Sequence, residues 1–240
     1  MQGSNSPDDI TPAIAVVIPA LNEIQSIASV VRSIPDFVRD IIVVDNDSTD
    51  GTGEAAAMAG AKTVHVAEPG YGRACLAGIA AAGKPEIIVF MDGDGADDPT
   101  DMKKLLAPII NGNADMVIGA RTHAGIEKGA LTPQQQYGNR LACFLMKLFW
   151  SGHFTDLGPF RAISYNALER LNMEHETYGW TVEMQVRALK EKLRCTEIPV
   201  HYRKSIGVSK ISGTVKGVFL AGTHILGVIG REALTPSRRE

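Results

Sequence analysis

At 240 residues, with 45% hydrophobic and 21% charged residues, the chain can build a full core, which excludes a disordered or fibrous class and favours one α/β domain over two small ones. Lys and Arg number 24 against 27 Asp and Glu, and a net charge of −3 offers no general attraction for nucleic acid, so any anion site has to be local. Three scattered cysteines, Cys75, Cys143 and Cys195, make neither a disulfide framework nor a zinc site and are expected as reduced core residues of a cytoplasmic protein.

The first 12 residues, MQGSNSPDDITP, are polar and acidic, expected as a flexible tail and without the apolar run of a signal peptide or anchor. Short β-branched runs then alternate with helical patterns. IAVVI (14–18), IIVVD (41–45), KTVHV (62–66), EIIVF (86–90) and DMVIG (115–119) read as strands, and EIQSIASVVRSI and ACLAGIAAAG as two of the intervening helices. Strand–helix alternation implies right-handed crossovers and parallel pairing, and strands apolar throughout imply burial on both faces. A mostly parallel, doubly wound central sheet flanked by helices is expected over about residues 13–120. In PQQQYGNRLACFLMKLFW (133–150), Leu141, Phe144, Leu145, Leu148 and Phe149 fall on one helical stripe, expected to pack in the core. TDLGPFRAIS (155–164) reads as a loop and short strand, WTVEMQVRALKEK (180–192) as a helix, RCTEIPVHYR (194–203) as a strand and KSIGVSKISG (204–213) as a basic loop. VFLAGTHILGVI (218–229) is apolar but shorter than the roughly 20 residues of a membrane span.

Ligands of doubly wound sheets bind beyond the carboxyl ends of the strands. Here that rim reads PALNE (19–23), DNDSTDG (45–51), EPGYGRA (68–74), DGDGADDP (92–99) and GAR (119–121). Asp92 and Asp94, two residues apart at the end of an apolar strand, call for a divalent cation to neutralise them. Mg²⁺ or Mn²⁺ suits oxygen ligands and shares its shell with substrate phosphates, so a nucleoside diphosphate is the natural companion. Asp97 and Asp98 are expected to begin the next helix. The G-x-G-x-x-G of a dinucleotide fold and the P-loop are both absent.

VVIPALNE, IIVVDNDSTDGT, GYGRACLAG, FMDGDGADDP and MVIGAR, in that order, resemble the GT-A glycosyltransferases of family 2. TDLGPFRAI, YGWTVEMQVRA and IGVSKISG are similar to the subgroup of dolichyl-phosphate mannose synthase and polyprenyl-phosphate glycosyltransferases. The resemblance implies a GT-A domain over 13–214, with a nucleotide-sugar half (13–121) and an acceptor half (122–214), followed by an apolar or amphipathic helix (215–232) and a tail (233–240). It implies that Pro19, Ala20, Asn22, Glu23, Asp45, Asp47, Gly72 and Gly93 surround the nucleotide, that Asp92 and Asp94 hold the metal, that Arg121 faces phosphate or sugar, and that Lys210 meets anionic oxygens at the reaction centre. Two departures stand out: Ala96 replaces a frequent Gln, and Asp45-Asn46-Asp47 replaces a paired Asp-Asp-Gly.

Many family members place a base Asp in a Glu-Asp pair before a helical Arg, and here Trp180 and Thr181 occupy those positions if Arg187 is that Arg. A phosphate acceptor needs no base, so the implied activity is inverting hexosyl transfer from a UDP- or GDP-sugar to a phosphorylated, lipid-linked acceptor, met by Arg161, Arg203, Lys204 and Lys210. Trp180 is expected either against a sugar face or in the core. The alternatives are a soluble hydroxyl acceptor with Asp156 or Asp97 as base, and a silent nucleotide-sugar-binding protein. Peripheral membrane contact through 215–232, with Lys216 and Arg231, and self-association are both compatible with the sequence.

Overall fold

Apolar runs between polar turns become the strands β1 (Ile14–Ala20), β2 (Asp40–Asp45), β3 (Lys62–His65), β4 (Ile87–Phe90), β5 (Met116–Ala120), β6 (Arg161–Ser164) and β7 (Cys195–Pro199). The computed structural model describes residues 12–121, 125–206 and 215–235, and among them these strands form one sheet in the order β3-β2-β1-β4-β6-β5-β7. Neighbours are parallel except where β6 runs antiparallel to β4 and β5. Helices α1 (Ile27–Ser33), α2 (Thr52–Met58), α3 (Tyr71–Ala81), α4 (Met102–Ile110), α5 (Pro133–Trp150), α6 (Tyr165–Leu171), α7 (Trp180–Lys190) and α8 (Val215–Leu234) complete the described elements.

Every residue of β1 is buried. Its alternating side chains divide between two cores: Ala15 and Val17 join Val44, Phe90 and Ile118, whereas Ile14, Val16 and Ile18 join Val43, Val89 and Met91. Each of the Val, Ile, Phe and Met side chains removed from water contributes about 1.5–3 kcal/mol, and two helix-covered faces account for the unbroken apolar run.

The expected limit of the sheet, near residue 120, is too short. β5 lies two places from β4, and β6 fills the gap after the chain returns through α5 and residues 151–160. β6 enters the gap antiparallel to both neighbours, so the return through α5 is not the right-handed crossover that joins parallel strands.

α5 starts at a full capping box: Thr132 Oγ1 accepts from the Gln135 amide, the Gln135 side chain accepts from the Thr132 amide, and Pro133 takes the first turn. Such a cap contributes about 1 kcal/mol. Its buried face is Ala142, Cys143 and Met146. The predicted core stripe is corrected here, because Phe144, Leu148 and Phe149 are 60%, 64% and 52% exposed, and Leu141 and Leu145 are half-buried. Apolar periodicity marks a face without saying what covers it.

α8 packs on α5 and α7 through buried Val228 and Ile229. Ion pairs reinforce the seat: Glu232 meets Lys190 at 2.6 Å and Arg187 at 3.4 Å, and Arg231 reaches the fully buried Glu183 at 3.1 Å. Glu183 pairs with Arg187 at 3.0 Å, one turn on, and accepts the backbone amides of Glu174 and His175. Glu183 thus ties the 174–175 turn and α8 to α7. No helix among the described residues is long and apolar enough to cross a membrane.

Candidate active site

The carboxyl ends of β1, β2, β4 and β5 open on a cavity of about 570 Å³. Pro19, Ala20 and Glu23 line this cavity. The tight packing of β1 and α1 leaves little room beside Gly93, where a methyl group would lie 3.3 Å from Ala20 Cβ and Ile27 Cδ1. The Gly93 carbonyl accepts a bond from Ser26 Oγ at 2.8 Å, and the residue lines the cavity with Asp92 and Asp94.

Asn22, Asp45 and Asp47 are placed differently from the expectation, outside the cavity lining. Asn22 Oδ1 accepts from the Thr49 amide at 2.8 Å and braces the loop after β2. Asp45 Oδ1 accepts from the Ser48 amide at 3.0 Å, and Asp47 is exposed with a left-handed φ of 65°. Asn46, between them, is the residue that lines the cavity; it is 6% exposed, and its Oδ1 accepts from the Gly70 amide at 3.0 Å. The signal was the β2 terminus itself, read one residue to either side.

Gly72 also needs correction as a nucleotide contact. It is buried in the first turn of α3, where a Cβ would stand 1.9 Å from the His175 carbonyl oxygen. A Cβ on Gly70 would come within 2.5 Å of the Glu176 oxygen. The two glycines allow α3 to rest directly on the 175–176 backbone, and this contact brings Thr177 and Tyr178 to the cavity.

Between these glycines, Tyr71 donates its hydroxyl to Asp92 Oδ1 at 3.1 Å. Its ring meets Trp180 edge-on at 6.3 Å, and Trp180 meets Phe90 at 4.7 Å. Trp180 is fully buried, so the sugar-stacking reading gives way to core packing, and Thr181 beside it lines the cavity.

Burial, and then the charges of Asp94 and Asp97, raise the Asp92 carboxyl well above its ordinary range; burial likewise raises Asp94. Asp97 does not begin the next helix. It is 3% exposed, its Oδ2 accepts from the Asp92 amide at 3.2 Å, and Oδ1 has no partner among the described residues. Burial and Asp94 push Asp97 up to about 7. Asp98 does cap the 3₁₀ turn Pro99–Asp101, accepting from Thr100. Carboxylates crowded into one small space have the chemistry to hold a divalent cation. No group of three or more His, Cys, Asp or Glu among the described residues is arranged as a metal cage. Two carboxylates suit an ion that takes its remaining oxygens from a diphosphate and water.

Arg121 follows β5 and lines the same cavity. Asp156 holds it: Oδ2 accepts from Nε at 2.7 Å and from the Arg121 amide at 2.9 Å, and Oδ1 accepts from Nη2 at 2.8 Å. Asn139 and the Leu157 amide also donate to Asp156 Oδ1, at 2.6 and 2.8 Å. Burial alone would raise this carboxyl, but the Arg121 hydrogen bonds outweigh it and hold the pKa below the ordinary value. Asp156 is therefore neither a cavity-lining group nor an available base; it aims Arg121, whose guanidinium lies 5.0 Å from the Tyr202 ring centre.

The expected basic patch disperses. Arg161 is fully buried and donates to the carbonyls of Leu157, Gly158 and Thr181; burial depresses its pKa to about 10. Arg203 pairs with Asp98 away from the cavity. Lys204 remains in the lining, and Lys210 lies outside the described residues.

Residues 15–171 match the family described as glycosyl transferase family 2. An uncharacterized glycosyltransferase of Mycobacterium tuberculosis is 36% identical over 211 residues, 87% of this chain and 94% of the relative. The undecaprenyl-phosphate mannosyltransferase of Micrococcus luteus is 28% identical over 233 residues, 91% of this chain and 95% of that protein. A crystal structure of Mycobacterium tuberculosis glucosyl-3-phosphoglycerate synthase with Mn²⁺, UDP-glucose and phosphoglyceric acid superposes with a TM-score of 0.76 at 23% identity, covering 95% of this chain and 82% of that one, which shows the shared GT-A fold. The chain is an enzyme of this lineage and belongs to the family 2 glycosyltransferases.

Proposed function

We propose that the protein is an inverting hexosyltransferase that takes its sugar from a UDP- or GDP-sugar and joins it to a phosphorylated acceptor, a polyprenyl phosphate. The observation that carries this reading is the distribution of carboxylates. Those lining the cavity are Glu23 on the nucleoside side and the pair Asp92 and Asp94. The remaining wall presents Thr132, Gln135, Asn139, Thr177, Tyr178 and Thr181, with no carboxylate among the described residues. A hydroxyl nucleophile needs a base within hydrogen-bond reach, whereas a phosphate monoester, with a second pKa of about 6, arrives ionised. The relative from Micrococcus luteus, named for undecaprenyl phosphate, supports the same acceptor class.

In this reading Asp92 and Asp94 hold Mg²⁺ or Mn²⁺, which when bound offsets the charge of the leaving diphosphate. Tyr71 orients Asp92, and Asp156 fixes Arg121 so that its cation meets the donor diphosphate or acceptor phosphate without reorganising. The acceptor phosphate oxygen attacks the anomeric carbon from the face opposite the diphosphate; the new C–O bond forms as the C–O bond to the nucleotide breaks.

A second reading, a soluble phosphorylated acceptor, is favoured by a cavity wall of uncharged polar groups with Arg121 and Lys204 as its cations. Incubation with UDP- and GDP-hexoses and Mn²⁺, with product mass read for a prenyl phosphate, the matching prenol and phosphoglyceric acid, separates the two. Product on prenyl phosphate alone supports the proposal; product on phosphoglyceric acid alone favours the second reading, and product on the prenol, or at the hydroxyl of phosphoglyceric acid, overturns the base-free argument.

A further inference from the structure

α5 turns two unlike faces outward and inward. Gln135 and Asn139 line the cavity from its first turns. On the opposite side Tyr137, Phe144 and Leu148 are 71%, 60% and 64% exposed, and their spacing of seven and four residues aligns them on one stripe. Leu226 of the adjoining α8 is 45% exposed. Aromatic and aliphatic side chains grouped in this way mark a surface built for contact.

The charges beside the stripe indicate the partner. α5 contains no Asp or Glu, and its charged residues are Arg140 and Lys147. Both are exposed, and neither forms an ion pair among the described residues. They lie about 40–100° around the helix from the stripe at 100° per residue, on one flank. An apolar ridge bordered by unpaired cations and free of acids complements an anionic lipid surface, where rings enter the headgroup boundary and cations meet phosphates.

We propose that the outward face of α5, with Leu226 of α8, is the membrane-docking surface and that its partner is an anionic bilayer. The inference rests on the lipid-linked acceptor proposed above. It adds that the helix walling the cavity seats the enzyme, leaving the site about one helix diameter, ~10 Å, from the lipid that carries the acceptor phosphate.

The test is vesicle flotation of the full chain on phosphatidylcholine vesicles with and without phosphatidylglycerol. Transfer is measured in parallel to a long-chain prenyl phosphate in those vesicles and to a short-chain, water-soluble one. The variants are F144E/L148E and R140E/K147E, all at exposed positions, with melting temperature confirming the fold. The wild type is expected to float with the anionic vesicles. Each double variant should lose about tenfold or more in vesicle binding and in transfer to the long-chain acceptor, while transfer to the short-chain acceptor is unchanged. Undiminished flotation by both variants, or no flotation by the wild type, overturns the docking surface even where both acceptors are used. F144E/L148E dissociating a dimer on sedimentation without changing flotation overturns it in favour of a second copy of the chain. Flotation without transfer to either prenyl phosphate retains the surface and refutes the acceptor reading instead.

Discussion

Replacing Asp156 by Asn keeps the shape of the side chain and removes its charge. In the wild type the Asp156 and Arg121 side chains are 7% and 8% exposed and joined by two hydrogen bonds of 2.7 and 2.8 Å. The variant leaves Arg121 as a buried cation without its hydrogen-bonded carboxylate, and breaking such a pair costs about 3–5 kcal/mol. For a chain of this size that corresponds to a fall of ~6–20 °C in Tm. The folded pKa of Asp156 is depressed, so its stabilisation is present above the unfolded value of 3.8 and is lost as pH falls through the lower folded value. The difference between wild type and variant is therefore expected to stay flat between about pH 5 and 8. Denaturant unfolding of D156N, R121M and the double variant forms a cycle in which the double variant is less destabilised than the sum of the singles. The rate of transfer should fall in D156N together with the stability of the site. A D156N protein as stable as wild type, inactive, and lacking one limb of the wild-type pH–rate profile would refute the orienting role and restore Asp156 as a base.

Tyr71→Phe removes the hydroxyl that donates to Asp92 Oδ1. The loss of about 1 kcal/mol should weaken apparent Mn²⁺ activation roughly fivefold with little change in Tm, read from a metal titration of the rate. Asp97 has its folded pKa raised from 3.8 to about 7, so the fold binds more protons than the unfolded chain across that window. The Asp97 contribution to stability in EDTA, read as the difference between wild type and D97N in urea melts, should decline as pH rises from about 4 to 7, by up to about 4 kcal/mol, while the raised Asp92 and Asp94 lower the stability of both proteins with pH. Gly72→Ala places a methyl group against the His175 carbonyl and should shift the 175–178 segment, raising acceptor KM more than donor KM in steady-state kinetics.

What could be read from the chain divides along physical lines. β1, β2 and β4 were legible because burial on both faces writes an unbroken apolar run, and the run ending in Asp92 and Asp94 put two costly charges at a sheet rim, where a ligand has to account for them. The place of β6 was not legible, since a four-residue strand carries no sign of its neighbours or direction. Gly72 looks like a loop glycine yet serves a close helix–backbone contact. Asp45, Asn46 and Asp47 differ by single steps, and only the conformation of the turn decides which of them meets the cavity. Phe144 and Leu148 illustrate the remaining limit: a helical stripe has the same period whether its cover is protein or another surface. The charge of Asp156 and Arg161 suggests chemistry, and only their partners show that one is hydrogen-bonded to Arg121 and the other to backbone carbonyls.

The account depends most on Asp92 and Asp94 acting as the shared cation and diphosphate site. Calorimetric titration of UDP and of GDP into the wild type, in Mn²⁺ and again in EDTA, and into D94A, tests that directly. The prediction is that one nucleotide binds in Mn²⁺, that EDTA removes most of the affinity, and that D94A binds equally weakly in both buffers. Binding as tight in EDTA as in Mn²⁺, or unaltered by D94A, would contradict the claim.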